Sequence, residues 1–470
     1  MIWQSLFTFL PSILAGFGLA HLLWRDHGSP WVLALKLFIG IGLGLGVASC
    51  LYFFRLLLFP GQGGYLFIGL GYLFFVLFAL ILKRRFSLNY SFHFKRPSWL
   101  HVFFTLILLV VLYNALSNSL SLIRKAPHGD YDAQAIWNMR ARFIYRSGDM
   151  WENAFSPQIN RNFHMDYPLL IPMNVVGGWN VLGGEVKRIP SVQSVLFLYG
   201  IAGMLFCVLA SFRSYLQGVL GVLLVLSSPS LLLVTSFQTA DISVAYFFLS
   251  TAILLLVSLN RDNPSLVFLA GLTSAFSAWT KNEGIPFLVL SVLFTLFMLY
   301  KRNRVGQIRF FILGTMLPVT TIVIFKLSVP ASLDNDLFVG NYFATILSKI
   351  SDPLRYVSIL TRLMVEIVHV GGWNYSVAIV LFIYGMVMGF GKFSELSRAD
   401  RSIFLIPILQ LAVYFCVYLI TPRDLAWHMN FSMSRLLLHI FPMVLLSFFL
   451  YVNTPERVLD LFPKGNIELK

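Results

Sequence analysis

Charge is what this chain has least of. Only 12% of its residues are Asp, Glu, Lys or Arg, against roughly 25% in a soluble globular domain, too few to build a water-facing surface. Acidic residues are scarcest: 20, against 35 Lys and Arg, which leaves a net charge of +15. That excess does not describe a nucleic-acid surface. The basic residues sit in short loops between apolar runs, the placement that orients membrane proteins. Cysteine is nearly absent. Cys50, Cys207 and Cys416 each fall inside an apolar run, without disulfide or zinc spacing, and read as small buried hydrophobes. Alternating polar and apolar strands are missing, which excludes a closed barrel. No P-loop and no transporter-like internal repeat is evident. The first apolar stretch lacks a basic leader and a cleavage site, so no cleavable signal peptide is expected.

Hydrophobicity is abundant: 58% of residues are apolar and the mean hydropathy is +0.78. Apolar runs of about 20 residues recur along the whole chain, each long enough to cross the hydrocarbon core as a helix. About thirteen spans are expected, near 5–23, 31–58, 65–82, 99–121, 189–211, 217–234, 241–259, 265–280, 285–300, 309–328, 373–391, 403–421 and 434–452. The fold class is therefore an all-α polytopic membrane protein. Lys83-Arg84-Arg85, Arg213, Arg261, Lys301-Arg302, Lys392 and Arg401 all fall on one side under this count, which the positive-inside rule makes cytoplasmic. The opposite face receives His128–Lys187, Lys281–Gly284, Val329–Gly372 and Pro422–Ser432.

Four regions follow. Residues 1–97 hold N-terminal membrane helices. Residues 98–328 form a core that includes an outer loop at 122–188. Residues 329–372 form a second outer loop, and 373–470 carry the last spans and a short cytoplasmic tail. Within the first loop, Pro168–Gly184 is apolar but too short to span, so it is expected to be interfacial or re-entrant. In the second, Asp352-Pro353 is a helix-start signal, and Leu354, Val357, Leu360, Met364 and Val368 follow at helical spacing, as in a helix lying on the membrane surface. The run Gly40-Ile41-Gly42-Leu43-Gly44-Leu45-Gly46 lies mid-span with no strand before it. It fits close helix packing rather than a phosphate-cradling loop.

The polar loop 128–187 concentrates carboxylates on one face. Asp130 and Asp132 begin it. A loop aspartate is more often solvated or paired, here with Arg140, Arg142 or Arg146, than catalytic. Asp132, which leads a helix-like segment from Ala133 to Tyr145, is the better candidate for a general base, which must be held within hydrogen-bond reach of a hydroxyl. His164 and Asp166 form a second polar cluster. Two ligands do not make a metal site, and a pocket-shaping loop is the plainer reading. Asp241 opens a span and reads as a helix cap. Lys281 and Glu283 interrupt two spans with opposite charges. An internal pair and a lipid-phosphate contact are equally consistent with them. Arg423, His428 and Arg435 sit at the outer ends of the last two spans. Arg435 lies about one turn inside, where it could snorkel, but a phosphate partner is the better-motivated reading, because its planar fork matches phosphate oxygens.

Three stretches together resemble the GT-C superfamily of membrane glycosyltransferases, in particular relatives of protein O-mannosyltransferases and lipid A aminoarabinose transferases. Asp132-Ala133-Gln134-Ala135-Ile136-Trp137 is similar to the Asp motif of that family's first outer loop. His164-Met165-Asp166-Tyr167-Pro168 resembles its His-Pro-Pro-like element. Thr280-Lys281-Asn282-Glu283-Gly284 resembles its Thr-Lys-Gly-like element. The family's frequent Asp-Glu pair is Asp132-Ala133 here, which leaves Asp130 or Asp166 as a substitute carboxylate. Four of the expected spans precede the motif loop, where close relatives often have one.

The resemblance implies transfer of a sugar from a polyprenyl-phosphate donor to an acceptor on the non-cytoplasmic face. Asp132 would act as the base, with Asp130 and Asp166 as its alternates. Lys281, Glu283, Arg435, Arg423, His428, His164 and Asp241 would form the binding residues. No cofactor is required, and a divalent metal is permitted but not demanded. The partners expected are the lipid donor, membrane lipids and an acceptor that is protein, lipid or glycan. A bacterial inner (plasma) membrane with the site facing the periplasm or exterior is the expected location. A flippase or transporter of lipid-linked sugars is the rival reading, with an outer-face glycan polymerase or ligase as a second.

Overall fold

The computed structural model describes residues 2–24, 29–59, 98–156, 158–159, 164–329, 343–391 and 402–459. Among them regular structure is helical, apart from one isolated bridge between Phe390 and Val452. In chain order the helices are α1 (Ile2–Leu23), α2 (Pro30–Leu58), α3 (Trp99–Lys125), α4 (Asn138–Ser147), α5 (Leu170–Leu182) and α6 (Arg188–Phe212). Next come α7 (Tyr215–Leu226), α8 (Pro229–Ser236), α9 (Asp241–Arg261), α10 (Pro264–Thr280), α11 (Gly284–Tyr300) and α12 (Ile308–Ser328). The chain continues with α13 (Phe343–Ile350), α14 (Pro353–Val368), α15 (Val377–Met388), α16 (Leu405–Ile420) and α17 (Leu425–Tyr451).

Seven of the described helices are long and apolar enough to cross a membrane, or eight if a bent pair counts as one span. The chain is thus an all-α polytopic membrane protein. The span expected at 65–82 lies outside the described residues. The run at 217–234 is not one rod: α7 and α8 meet at 58°, because Ser228 caps a new helix and Pro229 follows it at the first turn. The run at 373–391 contributes only the 12 residues of α15, stopped by Gly389 at positive φ. The segment expected to be interfacial or re-entrant is α5, and every residue from Leu170 to Trp179 is buried. It packs inside the protein against α1, α2, α4 and α6, so its apolar surface is satisfied by neighbouring helices rather than by lipid.

The glycine run of α2 packs as expected. Gly40 and Gly44 face Gly16 and Ser12 of α1 so closely that a Cβ on Gly16 or Gly44 would run into the facing backbone. Farther round α2, the Tyr246 hydroxyl of α9 accepts from the Gly42 N–H at 2.9 Å and donates to the Phe38 carbonyl. A side chain has inserted itself into the i to i−4 ladder.

The two ends of the bundle differ in chemistry. One end gathers the C-termini of α3 and α10, the N-termini of α9 and α17, and the loop carrying α4 and α5. At the other end Arg213 donates to the Val452 carbonyl at 2.8 Å, and Arg304 pairs with Asp262. Asp352 caps α14 by accepting from the Leu354 N–H at 3.0 Å. Leu354, Val357, Leu360, Met364 and Val368 are all exposed. The opposite face of α14 is tied down by Arg355, which donates to the carbonyls of Leu419, Tyr418 and Thr421.

Candidate functional site

Asp241 is the centre of the site. It is the first residue of α9, where a carboxylate is favoured by the helix dipole, and it is 1% exposed. Three basic side chains converge on it. Lys281 Nζ lies 3.1 Å from Oδ1, His439 Nε2 lies 2.8 Å from Oδ1, and Arg435 reaches Oδ2 through Nε at 2.9 Å and Nη2 at 2.6 Å. The same Arg435 Nη2 contacts Asp132 Oδ2 at 2.5 Å. Lys281 also meets Glu283 Oε1 at 2.7 Å. The connected cluster therefore contains the carboxylates of Asp132, Asp241 and Glu283 against the two fixed cations Lys281 and Arg435. Burying so many charges is tolerable only because each finds an opposite partner.

Local structure explains each placement. Lys281 ends α10 in an extended conformation, and Gly284 then packs on the Ser277 backbone so tightly that no side chain fits there. The resulting reversal aims Lys281 and Glu283 at one another. On α17, Ser432, Arg435 and His439 repeat at intervals of three and four, so they share a face. Asp132 precedes a π-helical turn, Ala133–Trp137, that runs into α4. Such turns occur often at functional sites. The turn is held from behind by a buried polar network. Asn138 Nδ2 donates to Gln238 Oε1 at 2.7 Å, Gln238 Nε2 donates to Ser191 Oγ at 2.9 Å, and the Asp130 N–H donates to the Phe237 carbonyl at 3.2 Å.

A cavity of about 430 Å3 opens over this cluster, within the usual range of roughly 300–1,000 Å3 for ligand sites. Asp132, Lys281, Glu283 and Arg435 line it, together with His164, Arg423 and His428. Tyr131, Tyr167, Trp427 and Phe431 supply aromatic walls. Arg423 stacks over the Trp427 ring at 5.5 Å, and His428 Nδ1 meets Thr421 Oγ1 at 2.9 Å. A smaller cavity of about 260 Å3 adjoins the first and shares Asp132 and Arg435 with it. Asp130 lines that second space and not the first.

Asp166 is placed differently from the other candidates. It lines neither cavity. Its Oδ2 accepts from Asn282 Nδ2 at 2.5 Å and lies 3.6 Å from Lys326 Nζ. Arg140, fully buried, donates to the backbone carbonyls of His164 and Tyr167. Burial pushes this guanidinium down to about 10, against the opposing pull of Asp166 and Tyr167. Tyr167 in turn stacks on Trp137 at 5.6 Å and on His164 at 4.6 Å. Asp166 thus straps a pocket-shaping loop. Elsewhere in the outer loop, burial, then Lys187 and Arg142, hold His128 below its ordinary value, and the hydrogen bond from Arg146 lowers Glu185.

Of the residues singled out in the sequence, Asp132, Lys281, Glu283, Arg423, His428, His164 and Arg435 line one cavity, and Asp130 lines the space beside it. Read locally, Asp241 is a cap, and the resemblance adds it to the binding residues; in the structure three basic side chains converge on its carboxylate. Sequence reasoning missed His439, whose one signal is its position four residues after Arg435 inside an apolar span. Among the described residues, no group of three His, Cys, Asp or Glu side chains is arranged to hold a metal. Set against known protein families, curated proteins and solved structures, the chain finds no match.

Proposed function

We propose that this protein is a GT-C-like membrane glycosyltransferase that moves a sugar from a polyprenyl-phosphate donor to an acceptor hydroxyl. In this reading the chain crosses the membrane thirteen times. The cavity opens on the non-cytoplasmic face, and the membrane is a bacterial plasma membrane. The observation that carries the reading is the contact of Asp132 with Arg435 at 2.5 Å, on the wall of a cavity that Lys281, Arg423, His164 and His428 also line. A carboxylate beside a group of cations is what the chemistry asks for. A lipid phosphate is already a competent leaving group. The enzyme needs one base for the acceptor and fixed positive charge for the departing phosphate.

Asp132 takes the acceptor's proton. Arg435 presents a planar fork to two phosphate oxygens, and Lys281 adds a point charge. Asp241 and His439 hold that fork in place without touching the donor. The reaction is a single displacement and inverts the anomeric carbon.

The test is turnover of a labelled polyprenyl-phosphate sugar by the purified chain in lipid nanodiscs, with release of polyprenyl phosphate followed directly. Product of inverted configuration, lost in Asp132→Asn, is the expected result. If the donor is neither bound nor cleaved, the reading falls. If instead the intact donor crosses the bilayer of sealed liposomes, the protein is a flippase.

A further inference from the structure

We propose that the second cavity receives the acceptor and is built for an uncharged, hydroxyl-bearing ring rather than an anionic one. This inference rests on the glycosyltransferase reading of the first cavity.

The two spaces differ sharply in charge. In the first, the cations Lys281, Arg423 and Arg435 outnumber the carboxylates Asp132 and Glu283, with His164 and His428 beside them. In the second, the carboxylates Asp130, Asp132 and Glu366, the last paired with Arg362 at 2.6 Å, outnumber the one lining cation Arg435, and His369 and the hydroxyls of Ser230, Thr239 and Ser434 complete the polar wall. Carboxylates repel a second anion and accept hydrogen bonds from hydroxyls, so the same lining selects for one ligand class and against the other. At about 260 Å3 the space is small for a drug-sized ligand and suits a single ring. Leu233, Val234 and Phe237 of the α8 region give it an apolar floor for the ring's faces.

Asp132 and Arg435 line both cavities. In a single displacement the attacking oxygen and the leaving phosphate stand on opposite sides of the anomeric carbon. The base must therefore reach one compartment and the phosphate cation the other. Helix α17 divides the two: Ser432 faces the first cavity, Ser434 the second, and Arg435 borders both. An acceptor hydroxyl in the second cavity gives its proton to Asp132. Its oxygen lone pair forms the new bond to the anomeric carbon. The old carbon–oxygen bond breaks with its electron pair toward the phosphate, which leaves as polyprenyl phosphate held by Arg435 and Lys281.

The experiment compares two cysteines on one helix. Cys416, the exposed native thiol, is first replaced by Ser, and Ser432→Cys and Ser434→Cys are made in the full chain. Ser230→Cys serves as a second reporter for the acidic cavity if Ser434→Cys folds poorly. Labelling rates are measured with cationic and anionic methanethiosulfonates. Protection is then measured with polyprenyl phosphate, with hexyl glycosides of four neutral sugars, and with hexyl glucuronide. The expected result is faster cationic labelling at position 434. A neutral glycoside at ten times its Kd slows that labelling about tenfold, and hexyl glucuronide does not. Polyprenyl phosphate protects position 432 alone. If polyprenyl phosphate protects position 432 but no neutral glycoside protects 434, or the glucuronide protects it equally, the acceptor assignment is wrong and the donor reading stands. If polyprenyl phosphate protects both positions, the second cavity belongs to the donor. If it protects neither, the glycosyltransferase reading itself fails.

Discussion

Replacing Asp132 with Asn should have two opposite effects, and the pair is more informative than either alone. Arg435 Nη2 is shared between Asp132 and Asp241, at 2.5 and 2.6 Å. A donor phosphate that uses this guanidinium must compete with the Asp132 carboxylate. Asn keeps the shape and still accepts a hydrogen bond from the guanidinium, but it removes the opposite charge, an exposed pair of which is worth roughly 0.2–1 kcal/mol. Both partners are partly exposed, at 29% and 25%, so water screens the interaction and the difference is set near ~1 kcal/mol. Polyprenyl phosphate should therefore bind Asp132→Asn about fivefold more tightly than wild type. Turnover should fall by roughly 100-fold or more, because the amide cannot take a proton. Equilibrium binding of polyprenyl phosphate in nanodiscs gives the first number, and transfer from a labelled donor gives the second. Weaker phosphate binding in the variant would mean that Asp132 anchors Arg435 for the donor rather than competing with it. Normal turnover would remove Asp132 as the base, and activity lost in Asp130→Asn instead would give that role to the carboxylate that lines the second cavity and not the first.

Other expectations follow from the same cluster. Arg435→Lys keeps a charge but loses the fork that spans Asp241 and Asp132, so donor turnover should fall by about 2–4 kcal/mol in transition-state stabilisation; wild-type kinetics would show that a point charge suffices. Asp241→Ala leaves Lys281 and Arg435 without their shared buried partner and should cost about 3–5 kcal/mol, read as a large drop in the thermal midpoint; an unchanged midpoint would show that water or lipid replaces the carboxylate. The outer loop should loosen in acid. His128 and Glu185 both lie below their ordinary values, so the folded loop holds fewer protons than the unfolded one, and the stability they supply is present above those values and lost as pH falls, beginning near His128's ordinary 6.5. Protease protection of residues 126–156 should decline from there downward, and His128→Asn should remove the upper part of the decline; a loop equally protected from pH 7 to 5 would contradict the assignment.

What the sequence disclosed and what it hid divide along a physical line. Spans, caps and the surface helix α14 depend on composition and local spacing, and the Asp352-Pro353 helix start or the close packing of the Gly40–Gly46 run could be anticipated from neighbours in the chain, although its partner Gly16 could not. Arg435, Lys281 and Asp132 stood out because ionisable side chains at the edge of apolar runs need a reason to be there. Asp241 satisfied a local explanation as a helix cap, and only the resemblance to a family placed it among the binding residues. Its real partners are 40, 194 and 198 residues away. Asp166 misled in the opposite direction. As an alternate base its carboxylate looked available beside His164, but it is held by Asn282 of the α10–α11 turn and lies beside Lys326 of α12. His439 was invisible because one histidine in an apolar span is ordinarily a satisfied core residue.

The Tyr246 hydroxyl that enters the α2 ladder has a mechanical consequence. Asp241 and Tyr246 belong to the same helix, one at its first residue and the other little more than a turn below. Fastening Tyr246 to the interior of α2 therefore pins α9 against sliding and rotation at a point just beneath the site. Asp241, and with it the guanidinium of Arg435, is thereby referenced to the centre of the bundle. Tyr246→Phe would keep the ring and withdraw the pin, so the phosphate end of the site would lose its fixed datum while every charged residue remained in the chain.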